Sequence, residues 1–126
     1  MIYWIKMEQE IPKQVRDKLA QFQELQNQLQ LTSMQKQQFI LQSADIENAL
    51  SALEKTGNEK IYKIAGPLLI ETNKESSEKK LKEDKEVTAT KIKMLEKQEK
   101  KLNDKLVELR TELQSMLKPQ GIMGGS

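Results

Sequence analysis

From Ile11 to Leu53 the chain alternates intervals of four and three through Ile11, Val15, Lys18, Phe22, Leu25, Leu29, Thr32, Lys36, Phe39, Ser43, Ile46, Leu50 and Leu53. Nine of these thirteen positions are apolar, which is the a/d seam of a heptad repeat on one helix. Pro12 suits a first helical turn, where its missing N–H costs nothing, and Gly57-Asn58 suits the stop. A second seam runs Leu81, Lys85, Thr88, Ile92, Leu95, Glu99, Leu102, Leu106, Leu109, Leu113 and Met116, with eight of eleven positions apolar. Thr72 with Glu75 offers a capping box before it, and Pro119-Gln120-Gly121 ends it. At about 1.5 Å per residue each predicted helix is about 65 Å long, and near-equal lengths suggest a hairpin folded back on itself.

Between the seams the pattern changes period. Ile61, Tyr62 and Ile64, then Leu68, Leu69, Ile70 and Thr72, are strand formers, and Gly66-Pro67 between them marks a turn. The chain therefore divides into an N-terminal extension (1–10), a first coiled-coil helix (11–56), a linker with a β-hairpin (57–74), a second coiled-coil helix (75–118) and a C-terminal tail (119–126).

An antiparallel pair places a-positions of one helix against d-positions of the other. One alignment sets Val15 against Met116, Phe22 against Leu109, Leu25 against Leu106, Leu29 against Leu102, Phe39 against Ile92 and Leu50 against Leu81. It also sets Thr32 against Glu99 and Ser43 against Thr88, so two polar layers meet polar partners and favour this alignment over one shifted by a heptad. Four layers stay mixed: Lys18 with Leu113, Lys36 with Leu95, Ile46 with Lys85, and Leu53 with Glu78. The pair is expected to be soft there.

The predicted hairpin carries apolar residues on both faces, and both of its edges lack a partner. An isolated two-stranded hairpin is marginal in water. Either it folds onto its own helix ends as a strand-like connector, or strands from several copies join edge to edge into a closed sheet or barrel. The second arrangement explains the interruption as an oligomerisation socket built from Ile61, Tyr62, Ile64, Gly66, Pro67, Leu68, Leu69 and Ile70. The expected fold class is mainly α: a long antiparallel two-helix coiled coil with a single β-hairpin between the helices, the hairpins assembling into an oligomeric β-barrel platform.

Composition narrows the chemistry. Of 126 residues 32% are charged and 4% aromatic, the usage of long helices rather than of a mixed core. The chain contains no Cys and no His, which removes thiolate chemistry, disulfides, imidazole bases and the usual zinc and haem ligand sets. It has no glycine-rich phosphate loop and no nucleophile-base set, and paired Glu or Asp are too common on heptad faces to mark an acid/base dyad. No enzyme, cofactor or metal is expected. The net charge of +2 comes from 21 basic and 19 acidic residues, interleaved so that no single-sign field results. The start MIYWIK is too short for a signal peptide or a membrane span, and Met7 serves equally as the initiator. A soluble cytoplasmic protein is the expectation.

A heptad helix, one hairpin written IYKIAGPLLIET, and a second heptad helix closing with KQEKKLNDKLVELRTELQSMLKP together resemble the β-class subunit of prefoldin, the archaeal and eukaryotic co-chaperone. The resemblance covers about residues 8 to 119. IYKIAGPLLIE and KQEKKLNDKL carry most of its specificity. The single hairpin points to the β class, since the α class is expected to carry two. The extension MIYWIK departs from the family pattern. What the resemblance implies is a hexamer of two α and four β subunits with six coiled coils on a double β-barrel. Such an assembly holds unfolded chains without ATP and passes them to a group II chaperonin.

If the hairpin sits in a platform, both termini lie at the other end of the predicted rod. Ile11, Val15, Phe22, Leu109, Leu113 and Met116 are seam residues there, and Leu19 and Leu117 fall one place outside the seam. Ile122 and Met123 follow Pro119, and Ile2, Tyr3, Trp4 and Ile5 precede the first helix. Fraying of this end would expose apolar surface to non-native clients, at about 25 cal/mol per Å² buried. The plainer reading is that Leu19 and Leu117 only widen the buried stripe. Leu31, Ile40, Leu41 and Met94 also lie off the seam, and the sequence assigns them no role. Arg110, Glu112 and Lys118 are candidates for docking a chaperonin by complementary charge, although solvated helix faces look the same.

Nucleic acid is a poor fit. The clusters Lys79, Lys80, Lys82, Lys85 and Lys97, Lys100, Lys101, Lys105 are interrupted by acids, and only Arg16 and Arg110 could offer bidentate base readout. An inert coiled-coil spacer or tethering adaptor remains the structural alternative.

Overall fold

The computed structural model describes residues 11–57 and 59–117. Expectations that fall on Asn58, on the MIYWIKM start, and on Lys118, Pro119, Ile122 and Met123 lie outside the described residues. The elements in chain order are α1 (Lys13–Glu54), β1 (Ile61–Ala65), β2 (Leu68–Thr72) and α2 (Lys74–Leu117). They form two units. The first joins the chain up to Ser33 with the chain from Lys97 onward, and the second is Met34–Glu96.

In the first unit the carbonyl of Pro12 accepts the Arg16 N–H at 3.1 Å, so proline stands immediately before α1, where its lack of a donor is harmless. Val15, Leu109 and Leu113 are buried together, with Ile11, Phe22, Leu25, Met116 and Leu117 packed against them. Leu102 and Leu106 are buried as well. Cross-helix contacts run Lys18 to Glu112, Phe22 to Arg110 and Ser33 to Glu99. Ascending numbers on α1 meet descending numbers on α2, so the pair is antiparallel. Each contact sits one residue from a pairing expected from the seam, as a side chain flanking the interface should.

The second unit shows the same relation, with Lys91 beside Phe39 and Glu47 beside Lys85. Its buried residues are Ile46, Leu53 and Thr88. All twelve seam positions of α1, and Ile11 just before it, are buried or half-buried, and on α2 only Lys85 is exposed. The polar seam residues solve their own hydrogen bonding. Thr32 donates to the Gln28 carbonyl at 2.8 Å and Thr88 to the Asp84 carbonyl at 2.7 Å, each one turn back on its own helix. In the Thr32 layer it is Ser33, its neighbour, that donates to the Glu99 carboxylate.

Two helix ends differ from expectation. α1 does not stop through a left-handed glycine, since Gly66 alone among the described glycines has positive φ. Instead the last turn tightens, with the Thr56 N–H on the Leu53 carbonyl at 3.1 Å and the Thr56 hydroxyl on the Ala52 carbonyl at 2.9 Å. The Lys74 ammonium then donates to the Thr56 carbonyl at 2.9 Å, bringing a cation to a helix C-terminus. At the start of α2 the cap is Asn73, not Thr72. The Asn73 Oδ1 accepts the Ser76 N–H at 2.8 Å, and its carbonyl accepts the Ser77 N–H at 3.1 Å, the pattern of an N-cap residue. Thr72 is committed elsewhere, as the last residue of β2 opposite Ile61.

β1 and β2 pair antiparallel, from Ile61 opposite Thr72 to Ala65 opposite Leu68. Only Gly66 and Pro67 connect them. Gly66 has φ of 60°, and proline holds the next φ negative. Glycine at the first position of a two-residue loop is the II′ arrangement, whose twist matches that of the flanking strands.

Candidate functional site

Two groups of residues singled out from the sequence fall into different units. In the first unit, Ile11, Val15, Phe22, Leu109, Leu113, Met116 and Leu117 come together, and Leu25 joins them. Their availability is unequal. Val15 is 1% exposed, Leu109 5% and Leu113 6%, so they hold the helix pair together and meet another molecule only if it opens. Leu117 is half-buried against this core and widens the stripe. Leu19 is not part of the cluster and is 43% exposed. It is the most accessible member of the group in the closed pair, the others being half-buried or buried.

Charged groups surround the cluster. The Lys18 ammonium lies 2.9 Å from the Glu112 carboxylate, and the Arg110 guanidinium stands 5.9 Å from the centre of the Phe22 ring, within the range of a cation–π contact. Arg110 and Glu112, expected as outward docking charges, thus each have a partner within the unit. Both are off the seam, where spacing reveals exposure but not which neighbour a long side chain reaches. Mixed layers are relieved similarly, because Lys18 and Lys85 turn out of the interface toward Glu112 and Glu47. These pairs are half in solvent and contribute little stability.

In the second unit the hairpin presents its side chains in alternation. Ile61, Lys63, Ala65, Leu68, Ile70 and Thr72 share one face, on which Ile61, Ala65 and Thr72 are half-buried. Tyr62, Ile64, Leu69 and Glu71 share the other. Ile64 is 76% exposed and Leu69, its partner across the ladder, 70%. Leu68, Ile70 and Tyr62 are also exposed. Among the described residues the sheet has two strands, so each keeps an outer edge of unpaired backbone groups. An apolar cross-strand pair open to water beside two free edges is a surface suited to strand addition.

Among the described residues no group of three or more His, Cys, Asp or Glu could hold a metal ion. No described helix is long and apolar enough to cross a membrane.

Heptad-packed antiparallel helices interrupted by one apolar, open-edged hairpin define a coiled-coil subunit of a larger assembly. The family model described as prefoldin subunit matches residues 16–120, and the chain belongs to the prefoldin family, whose members are chaperone subunits acting in complexes. It is similar to the prefoldin subunit beta of Thermococcus kodakarensis, 40% identical over 112 residues covering 88% of this chain and 96% of that one. The prefoldin subunit beta of Archaeoglobus fulgidus is likewise 40% identical over 112 residues, with 88% and 97% covered. Among solved structures, the crystal structure of the prefoldin beta subunit from Thermococcus strain KS-1 superposes with a TM-score of 0.79 at 40% identity, covering 88% of this chain and 98% of that chain.

Proposed function

We propose that this chain is the β-class subunit of a prefoldin-type holdase. Four copies would combine with two α-class subunits, their hairpins joining edge to edge in a β-barrel platform. The apolar ends of the helix pairs would grip non-native proteins without ATP or any cofactor and deliver them to a group II chaperonin in the cytoplasm. The observation that carries this is the exposed Ile64–Leu69 pair on a hairpin with two open edges, which is costly to leave in water and is covered when strands add on. The first unit supports the grip. Leu19 supplies accessible apolar surface, and the half-buried Ile11, Met116 and Leu117 would supply more as the pair opens. Individually weak contacts become useful when several ends sit on one platform and raise one another's effective concentration. Burial of Val15 and Leu113 shapes the test, because replacing them would unfold the unit rather than blunt its grip. The test is ATP-free suppression of client aggregation by the assembled complex carrying Leu19→Ser and Leu117→Ser. Reduced suppression with an unchanged assembly mass supports the proposal. Full suppression overturns the gripping role, and no suppression by the parent complex would leave an inert spacer.

A further inference from the structure

On α1 in the second unit, Met34, Gln37, Leu41, Ala44, Asn48 and Ser51 follow one another at spacings of three and four and are all exposed, on the side turned from the seam. Such a stripe on a solvated helix normally carries charge, yet none of these six is ionisable, and Asp45 at the stripe's edge is the one charged residue among the outward positions from 34 to 52. Its core is apolar: Leu41 is 66% exposed, Met34 57%, and Ile40 beside them 39%. The corresponding outward positions of α2 in this unit include Glu83, Glu86 and Lys93, so the scarcity of charge belongs to α1. No seam requirement explains it.

We propose that this outer stripe of α1 is a second contact surface for extended segments of non-native proteins, a deepening of the client-binding reading above, on which it rests. A non-native segment exposes two things a folded surface hides, apolar side chains and unpaired backbone amides. Met34, Ile40 and Leu41 offer apolar contact, with the methionine adapting to varied shapes. Gln37 and Asn48 offer side-chain amides that both donate and accept hydrogen bonds. Asp45, beside Ala44 and one turn from Leu41, is the ionisable residue a segment settling there meets, and its exposed carboxylate can stay in water at the edge of the contact. Size argues against a permanent occupant. The three apolar side chains expose on the order of 300 Å², against about 800 Å² per partner in a stable interface. A second copy of the chain would be held too weakly, whereas a client that must be released needs a contact of this strength, repeated across subunits.

The chain lacks cysteine, so Leu41→Cys provides an attachment point unique within it, labelled with a photocrosslinker before assembly with the partner, with Leu19→Cys as the parallel position in the first unit. The probe is a reduced, carboxymethylated polypeptide that cannot fold, with its native disulfide-bonded form as control. The expected result is crosslinking from position 41 to the unfolded probe and not to the native form. Met34→Lys with Leu41→Lys should weaken binding of that probe about tenfold, a loss near 1.4 kcal/mol, with the assembly mass unchanged. Crosslinking from position 19 but not 41 overturns the outer-stripe proposal and leaves the proposed holdase standing. Crosslinking from 41 only to a neighbouring subunit also overturns it, by showing the stripe to be an internal interface. No crosslinking from either position, with no suppression of aggregation, would remove both.

Discussion

The hydroxyl of Ser33 on α1 donates a hydrogen bond to the carboxylate of Glu99 on α2, so a polar residue placed in the apolar seam of one helix is met by a flanking residue of the other. Polar seam residues lower stability and select alignment. Ser33→Ala should destabilise the helix pair by about 1 kcal/mol, more than a neutral surface change, because the bond is to a charged acceptor. Glu99→Leu should raise the thermal midpoint while permitting registers shifted by a heptad. Thermal unfolding gives the stability. Disulfide trapping between cysteines placed at Phe22 and Leu109, against a pair offset by one heptad, measures the register.

Asn73 caps α2 through Oδ1 on the Ser76 N–H. Asn73→Ala should cost about 1 kcal/mol and speed amide exchange in the first turn of α2. Thr72→Ala should leave that turn unchanged, since Thr72 belongs to the strand. Hydrogen exchange at Ser76 and Ser77 distinguishes the two substitutions.

At Gly66 an added Cβ would meet nothing within 4 Å, so substitution there is a purely conformational change. The left-handed φ of 60° costs a non-glycine residue about 1 to 2 kcal/mol. Gly66→Ala should therefore weaken the hairpin without a clash, and be read out as a lower fraction of assembled complex at limiting concentration.

Leu109 and Leu19 should separate stability from binding. Leu109→Ala, in the buried cluster, should cost about 2 to 4 kcal/mol. Leu19→Ser, at a side chain outside that cluster, should stay within about 0.5 kcal/mol. Paired denaturant titrations and aggregation assays test both. Equal stability losses at the two positions would show Leu19 to be part of the core.

The helix pair was legible because burial acts on every turn: each seam position of α1 is at least half-buried, and period alone reveals that. The hairpin was legible because strand-forming residues on either side of Gly66-Pro67 break the heptad spacing. What spacing leaves open is decided by competition over one residue. Thr72 and Asn73 are both good caps, and strand pairing with Ile61 claims the first. Gly57 is a good terminator, but Thr56 and Lys74 satisfy the last carbonyls before it. In the first unit the seam located the apolar cluster correctly yet did not show that Val15, Leu109 and Leu113 are inaccessible, because periodicity records which side chains face the partner helix and not what else can reach them. The sequence places Ile40 and Leu41 off the seam but assigns them no role, and their exposure beside Met34 is what marks them as a surface.

Native mass spectrometry of the chain with an α-class partner, compared with the same mixture carrying Ile64→Lys and Leu69→Lys, tests the role of the hairpin most directly. The expected result is a complex of two α and four β chains for the parent and its loss in the variant, with helical content retained. A parent chain that stays monomeric at micromolar concentration beside its partner, or a doubly substituted hairpin that assembles as before, would contradict it.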